Sequence, residues 1–219
     1  MNFLFVVEGK STEKKLYQKW IPYLLPHMKY VQNFEEIIDN NFIIINGGGY
    51  PNYFKKIKDA FLDAIDYVNI SHIFICIDAE DSSYDEKKAE ITDYIKNECP
   101  LTTCFIKIII QNSCIESWLM GNKRINIDNA QDVELTQYRN YFNVNIRDPE
   151  LLTPIDERTI GQFSKRYLQL MLNEKGLIYS INSVQSVNNQ TYFEQLVKRY
   201  QENNHIISFG IFFEEIKKI

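Results

Sequence analysis

The chain has 219 residues, enough for one domain, or one domain with a helical extension, to bury a sizeable core. Hydrophobic residues make up 45% and charged residues 24%, and no apolar run reaches 18 residues, so the composition is that of a globular protein without a membrane span. The net charge of −5 argues against nucleic-acid binding by bulk electrostatics, because phosphate contacts draw on Lys and Arg, unless part of the acidic surplus is gathered around cations.

Taken in chain order, the opening "MNFLFVVEGK" lacks a basic leader segment and a small-residue cleavage site. It reads as a strand, and the expected location is the cytoplasm. Four runs rich in Ile, Val and Phe follow one another: "NFLFVVE" (2–8), "NFIIING" (41–47), "HIFICID" (72–78) and "CFIKIIIQ" (104–111). Their nearly continuous apolar character predicts strands covered on both faces. Between them the spacing predicts helices over 12–25 (face Leu16, Trp20, Tyr23, Leu24), 51–67 (Phe54, Ile57, Phe61, Ile65, Val68) and 84–97 (Ala89, Ile91, Tyr94, Ile95). This β-α-β-α-β-α-β order implies a parallel four-stranded sheet with right-handed crossovers. Residues 122–160 are polar and broken by Pro149 and Pro154; beyond them helices are predicted over 158–174, 190–203 and 205–217. The last carries Ile206, Phe209, Phe213 and Ile216 on one stripe and should pack down rather than trail. Trp20 and Trp118 read as core, and Cys76 and Cys104 as small buried hydrophobes. His27, His72 and His205 are too scattered, and the four cysteines too irregularly spaced, for a structural zinc site.

Ligands of open parallel sheets bind beyond the carboxyl ends of the strands, which directs attention to "EGKST", "GGGYPN", "DAEDSS" and "NSCIES". The first contains Gly-Lys-Ser but is not a phosphate loop. The leading glycine of such a loop falls on Leu4, inside a strand, and Glu8 would face the phosphates with a like charge. The better reading is a carboxylate, Glu8, at the tip of the first strand, with Gly9 turning the chain into a helix capped by Ser11 or Thr12. In "ICIDAEDSS", Asp78 and Glu80 are two apart at a strand end and Asp81 adds a third acid. Such crowding is costly unless relieved by hydrogen bonds or a metal ion, and Mg²⁺ is commonly held by one or two carboxylates plus water and phosphate oxygens. In a flavodoxin-like strand order the first and third of these runs are neighbours. The three glycines after the second run either let backbone approach a phosphate or make a simple turn.

"VVEGKSTEKKLY" followed by "IFICIDAED" resembles a Toprim domain, the metal-binding fold shared by topoisomerases, bacterial primases and several nucleases. The likeness covers roughly residues 1–122, with residues 123–219 expected as a helical C-terminal extension. A third motif, "NSCIESWLMGN", is similar to that of small Toprim nucleases of bacterial anti-phage systems, the RloB-like and OLD-like group, and supplies Ser113 and Glu116. Two departures stand out: Glu13 follows Glu8 by five residues where the family often has four, and the family's DxD is Asp78-Ala79-Glu80.

The resemblance implies an α/β Toprim (Rossmann-like) fold and a Mg²⁺- or Mn²⁺-dependent endonuclease hydrolysing phosphodiester bonds, the effector of an abortive-infection type of antiviral defence. Two ions are implied, with Asp78, Glu80 and Glu8 as ligands, Glu8 alternatively as general base, Glu13 and Glu116 as ligands completing the coordination of the second ion, and Asp81 as a substitute ligand. Lys123 would offset transition-state charge, and Arg139, Arg147, Arg158, Lys165 and Arg166 would form a substrate-facing strip or merely a charged helix face. The substrate would be DNA or RNA, tRNA included. A second reading keeps the fold without the chemistry, as a module docking on an ATPase partner through its aromatic C-terminal half. A third is a Toprim-type RNA maturase. A compact nuclease cutting two strands would suit a homodimer, though no motif shows one.

Overall fold

The apolar runs form strands because every residue of β1 (Phe3–Val7) is fully buried, which requires both sheet faces to be covered. A computed structural model describes residues 1–219 apart from Lys10, Val68, Ile127, Ile181 and Asn182. With β2 (Lys29–Tyr30), β3 (Asn41–Asn46), β4 (His72–Asp78) and β5 (Phe105–Gln111), β1 builds an all-parallel sheet in the order β2-β3-β1-β4-β5. The expected neighbourhood holds: Phe3 to Val7 pair in register with Phe42 to Asn46 on one side and His72 to Cys76 on the other. The count of four strands is corrected to five. The addition, β2, is a two-residue edge piece held by pairing Lys29 with Asn41 and Tyr30 with Phe42. Nothing in its composition announces a strand; the pairing comes from its neighbour.

The helices fall close to their expected places, while their buried faces differ. In α1 (Thr12–Leu24) the buried residues are Thr12, Glu13, Leu16, Tyr17, Trp20 and Ile21, so the stripe lies one step from the expected Tyr23 and Leu24. Helix α2 (Asn52–Asp66) buries Tyr53, Ile57, Ala60, Phe61 and Ala64 and leaves Ile65 exposed. Val68, expected on the same face, lies outside the described residues. In α3 (Tyr84–Glu98), Lys87 and Ile91 are buried; the Lys87 ammonium donates to Glu90 (2.8 Å). Further along come α4 (Ile115–Leu119), α5 (Val133–Tyr141), α6 (Ile160–Asn173), α7 (Gln190–Asn203) and α8 (Ile207–Lys217). Helix α5 lies in the stretch expected to be irregular. It forms because Asp132 caps its N-terminus, accepting from the Leu135 N–H at 2.9 Å, and Glu134 takes a two-pronged contact from Arg166. The Ile206, Phe209, Phe213, Ile216 stripe is buried as expected, with Phe212 beside it.

The chain divides into two compact units, crossing between them four times. One comprises Met1–Ile77, Asp85–Ile110 and Glu215–Ile219; it holds nearly all of the sheet, around an aromatic core in which Phe5 stacks on Phe74 with ring centres 4.6 Å apart. The other comprises Asp78–Tyr84 and Gln111–Glu214 and is built from α4 to α8, with Trp118 fully buried against Phe209 and Phe212. Among the described residues no helix is long and apolar enough to cross a membrane.

Candidate functional site

In the sheet-bearing unit, Glu8 directly follows β1 and is 6% exposed. Its N–H extends the ladder to the Cys76 carbonyl at 3.1 Å, and its own carbonyl accepts from Gly49 at 3.0 Å. The glycine run after β3 therefore buttresses the end of β1. Gly47 donates to Val7, and a Cβ on Gly47 would sit 2.8 Å from both the Val7 carbonyl and Tyr53. Gly48 and Gly49 take φ of +85° and +81°, a region that favours glycine. The Gly47 and Gly49 N–H groups are committed to β1, which settles those two on the side of a turn rather than a phosphate cradle.

Glu13 is also buried, and its Oε1 accepts the Gly9 N–H at 3.0 Å. The carboxylate lies so close over Gly9 that a Cβ there would be 2.0 Å from Oε2. Ser11 occupies the N-cap position of α1 without a side-chain capping bond, so Glu13 takes over the fastening of this turn.

In the helical unit, two of the acidic motifs meet. The Ala79 N–H donates to the Gln111 carbonyl (2.9 Å) and the Glu80 N–H to the Ser113 carbonyl (2.8 Å), so the segment after β4 runs beside the segment after β5. Asp78 is half-buried; Glu80 and Asp81 are exposed. Glu80 has φ of +52°, off the strand conformation, so the alternation expected to align Asp78 with Glu80 ends at Asp78. Cys114, at the foot of α4, is buried, and burial holds its thiol well above the ordinary range, with the negative charges of Glu116 and Asp78 adding to the effect. Both carboxylates thus act on one buried sulfur.

Burial pushes the Glu116 carboxyl above its ordinary value, partly offset by a 2.9 Å hydrogen bond from the Tyr179 hydroxyl and by the charge of Lys165. Tyr179 is itself buried, its carbonyl accepting from Gln169 at 3.2 Å. Lys165 on α6 is near enough for its charge to favour the ionised Glu116 carboxylate. Lys123, the candidate chosen from sequence, instead has Arg199, Glu202 and Lys198 as its charged neighbours. Tyr179 carried no sequence signal, and Lys165 stood out only as one member of a basic strip.

That strip is largely engaged with the chain's own groups. Arg158 pairs with Asp156 and Arg166 with Glu134, Arg139 lies 3.7 Å from Asp128, and Arg147 stacks over Phe142 at 3.9 Å. Among the described residues no three His, Cys, Asp or Glu side chains are gathered into a group that could hold a metal ion. The donors at hand are carboxylates, whose hard oxygens suit Mg²⁺ or Mn²⁺ bound through one or two protein ligands with water completing the shell.

No family model matches the chain, no similar protein of curated function is found, and no solved structure matches it.

Proposed function

We propose that the chain is a Mg²⁺-dependent, Toprim-type endonuclease that hydrolyses phosphodiester bonds of a nucleic acid, acting in defence against phage. The observation that carries the reading is the meeting of the residue 78–81 and 111–116 segments through the Ala79–Gln111 and Glu80–Ser113 hydrogen bonds, with Asp78 and Glu116 both bearing on Cys114. The parallel sheet, in which β1 pairs with β4, agrees with it. Asp78 and Glu116 are the proposed metal ligands, with Glu80 and Asp81 on the solvent side; Glu8, at the end of β1, is assigned as ligand or base by the resemblance. A divalent ion so held would supply charge neutralisation at the phosphoryl oxygens and activation of a water. The chain's own part is positional and electrostatic. Tyr179 fixes the Glu116 carboxylate, and Lys165 places a positive charge beside it, where negative charge grows on the reacting phosphoryl group. Glu13 fastens the Gly9 turn, and Lys165 rather than Lys123 is taken as the cation of the proposed site.

The test is a panel of DNA, RNA and tRNA substrates incubated with Mg²⁺ or Mn²⁺, with EDTA as control. Wild type should cleave at least one substrate; Asp78→Ala and Glu8→Ala should abolish cleavage, and Lys165→Gln should lower kcat more than it raises KM. A folded wild-type protein that cleaves nothing refutes the proposal and leaves the module that docks on an ATPase partner; an Asp78→Ala variant of full activity refutes the assigned site.

A further inference from the structure

We infer that the cleft between the 3-10 turn Lys123–Ile125 and α7 is a binding site for a phosphoryl oxyanion, held by Lys123 and Lys198 with the buried positive charge of Arg199 behind them. The cleft is lined by Lys123, Gln195, Lys198, Arg199, Glu202 and Asn203 and has a volume of about 120 Å³. A water in the liquid takes about 30 Å³, so there is room for a tetrahedral oxyanion with some of its hydration.

Three of those six residues are cations and one is a carboxylate, in a chain whose net charge is −5. Arg199 sets the site apart from an ordinary lysine patch because it is 2% exposed. A buried guanidinium is normally matched by a carboxylate. This one donates instead to three backbone carbonyls, those of Asn145 (2.9 Å), Val144 (2.8 Å) and Arg147 (2.8 Å), and its Nε has no hydrogen-bond partner. The loop is thereby clamped, but the charge is not neutralised by direct pairing; Asp148 offsets it only through space. Glu202 meets Lys198 at 3.6 Å in an exposed pair, which is weak and readily given up to a better anion. Burial is the main cause that pushes the Lys123 ammonium below its ordinary value, with Arg199 and Lys198 adding to it against Glu202; burial does the same to His205, with Arg199 and Lys123 adding to it against Asp148. Amide groups from Gln195 and Asn203 complete a lining suited to phosphate oxygens.

The site uses none of the candidate metal ligands, so it stands or falls apart from the nuclease reading. A phosphoryl group could come from a free phosphate or from a nucleic-acid backbone, and the experiment separates the two. Inorganic phosphate is titrated into the full chain at low ionic strength in EDTA, followed by ³¹P line broadening and by calorimetry. Saturable binding is expected, weakened roughly fivefold by either Lys123→Gln or Lys198→Gln and further by both together. Arg199→Lys serves as a third variant where it folds; the lysine variants keep the test decisive where it does not. A single-stranded oligonucleotide without terminal phosphate is then added. If it displaces phosphate, with a salt dependence reduced in the lysine variants, the backbone is the ligand; if it does not, a free phosphate is. Absence of phosphate binding by the folded wild type, or equal binding by wild type and the double lysine variant, overturns the inference.

Discussion

Replacing Glu150 by Gln should flatten the pH dependence of folding stability. Glu150 sits in the 3-10 turn Pro149–Leu151, 8% exposed, and fastens the start of α8. It accepts from the Ser208 N–H at 3.0 Å and from the Ser208 hydroxyl. That hydroxyl in turn accepts from the Trp118 indole at 2.6 Å and the Asn112 N–H at 3.0 Å, so its hydrogen-bonding capacity is full. Burial is the main cause that pushes the Glu150 carboxyl up to about 7 from 4.5; Ser208 works against the shift and the nearby Asp148 charge works with it. Between those two pH values the folded chain holds a proton that the unfolded chain has lost, so stability falls as pH rises through the window. The gap of about 2.5 pH units between 7 and 4.5, at about 1.36 kcal/mol per unit, amounts to about 3 kcal/mol. The lowered values of His72 and His205 act in the opposite sense, losing stability as pH falls, but they are common to both proteins and cancel in the comparison. Urea unfolding followed by tryptophan fluorescence suits the measurement, because Trp118 is bonded to Ser208. From pH 4.5 to 8 the wild type should lose about 3 kcal/mol relative to Glu150→Gln. Parallel curves for the two proteins would show that Glu150 ionises at no cost, and the account of this network would be wrong.

The remaining predictions concern packing and reactivity. Gly210→Ala should destabilise by about 1–3 kcal/mol despite the better helix propensity of Ala, since its Cβ would fall 2.2 Å from the Tyr200 ring; a thermal melt checks this, and Tyr200→Leu should restore part of the loss. Thr159→Ala removes a capping box in which Thr159 accepts from the Gln162 N–H and Gln162 from the Thr159 N–H, and should cost about 1 kcal/mol in urea unfolding. Burial pushes the Cys76 thiol up to about 12 and holds Cys114 high as well. At pH 8 both should alkylate far more slowly in the native chain than in urea, on the order of a thousandfold for Cys76, as read by site-resolved mass spectrometry; rapid native labelling would contradict their burial.

The parts of this structure that the sequence announces are those decided within a short stretch of chain. β1 is legible because five consecutive residues are buried, and the two acids flanking the ladder, Glu8 and Asp78, are legible because strand ends in a parallel sheet are fixed by the strands themselves. β2 is illegible because Lys29 and Tyr30 become a strand by pairing with β3 and have no preference of their own to show. Helix α5 fails the periodicity test because it buries little besides Leu135 and Tyr138; what holds it is a cap and an ion pair to Arg166, which lies 32 residues away. The surroundings of Glu116 are set in the same manner. Tyr179 reaches it across 63 residues, and Lys165 comes near it because α4 packs on α6, not because of anything in the "NSCIES" motif.

Charge shows the same division between what is summed along the chain and what is assembled in space. A net charge of −5 weighs against an anion ligand, yet Lys123 is brought beside Lys198 and Arg199 by the packing of the turn at Lys123–Ile125 on α7. Two of these charges share one helical turn at i and i+1, where side chains do not normally converge. They meet at one cleft because Arg199 lies buried at its floor, its guanidinium reaching the loop carbonyls, while Lys198 remains exposed at its rim. Recognition depends on this local field, which falls off within about 10 Å at ordinary ionic strength, so acids elsewhere on the chain do little to cancel it.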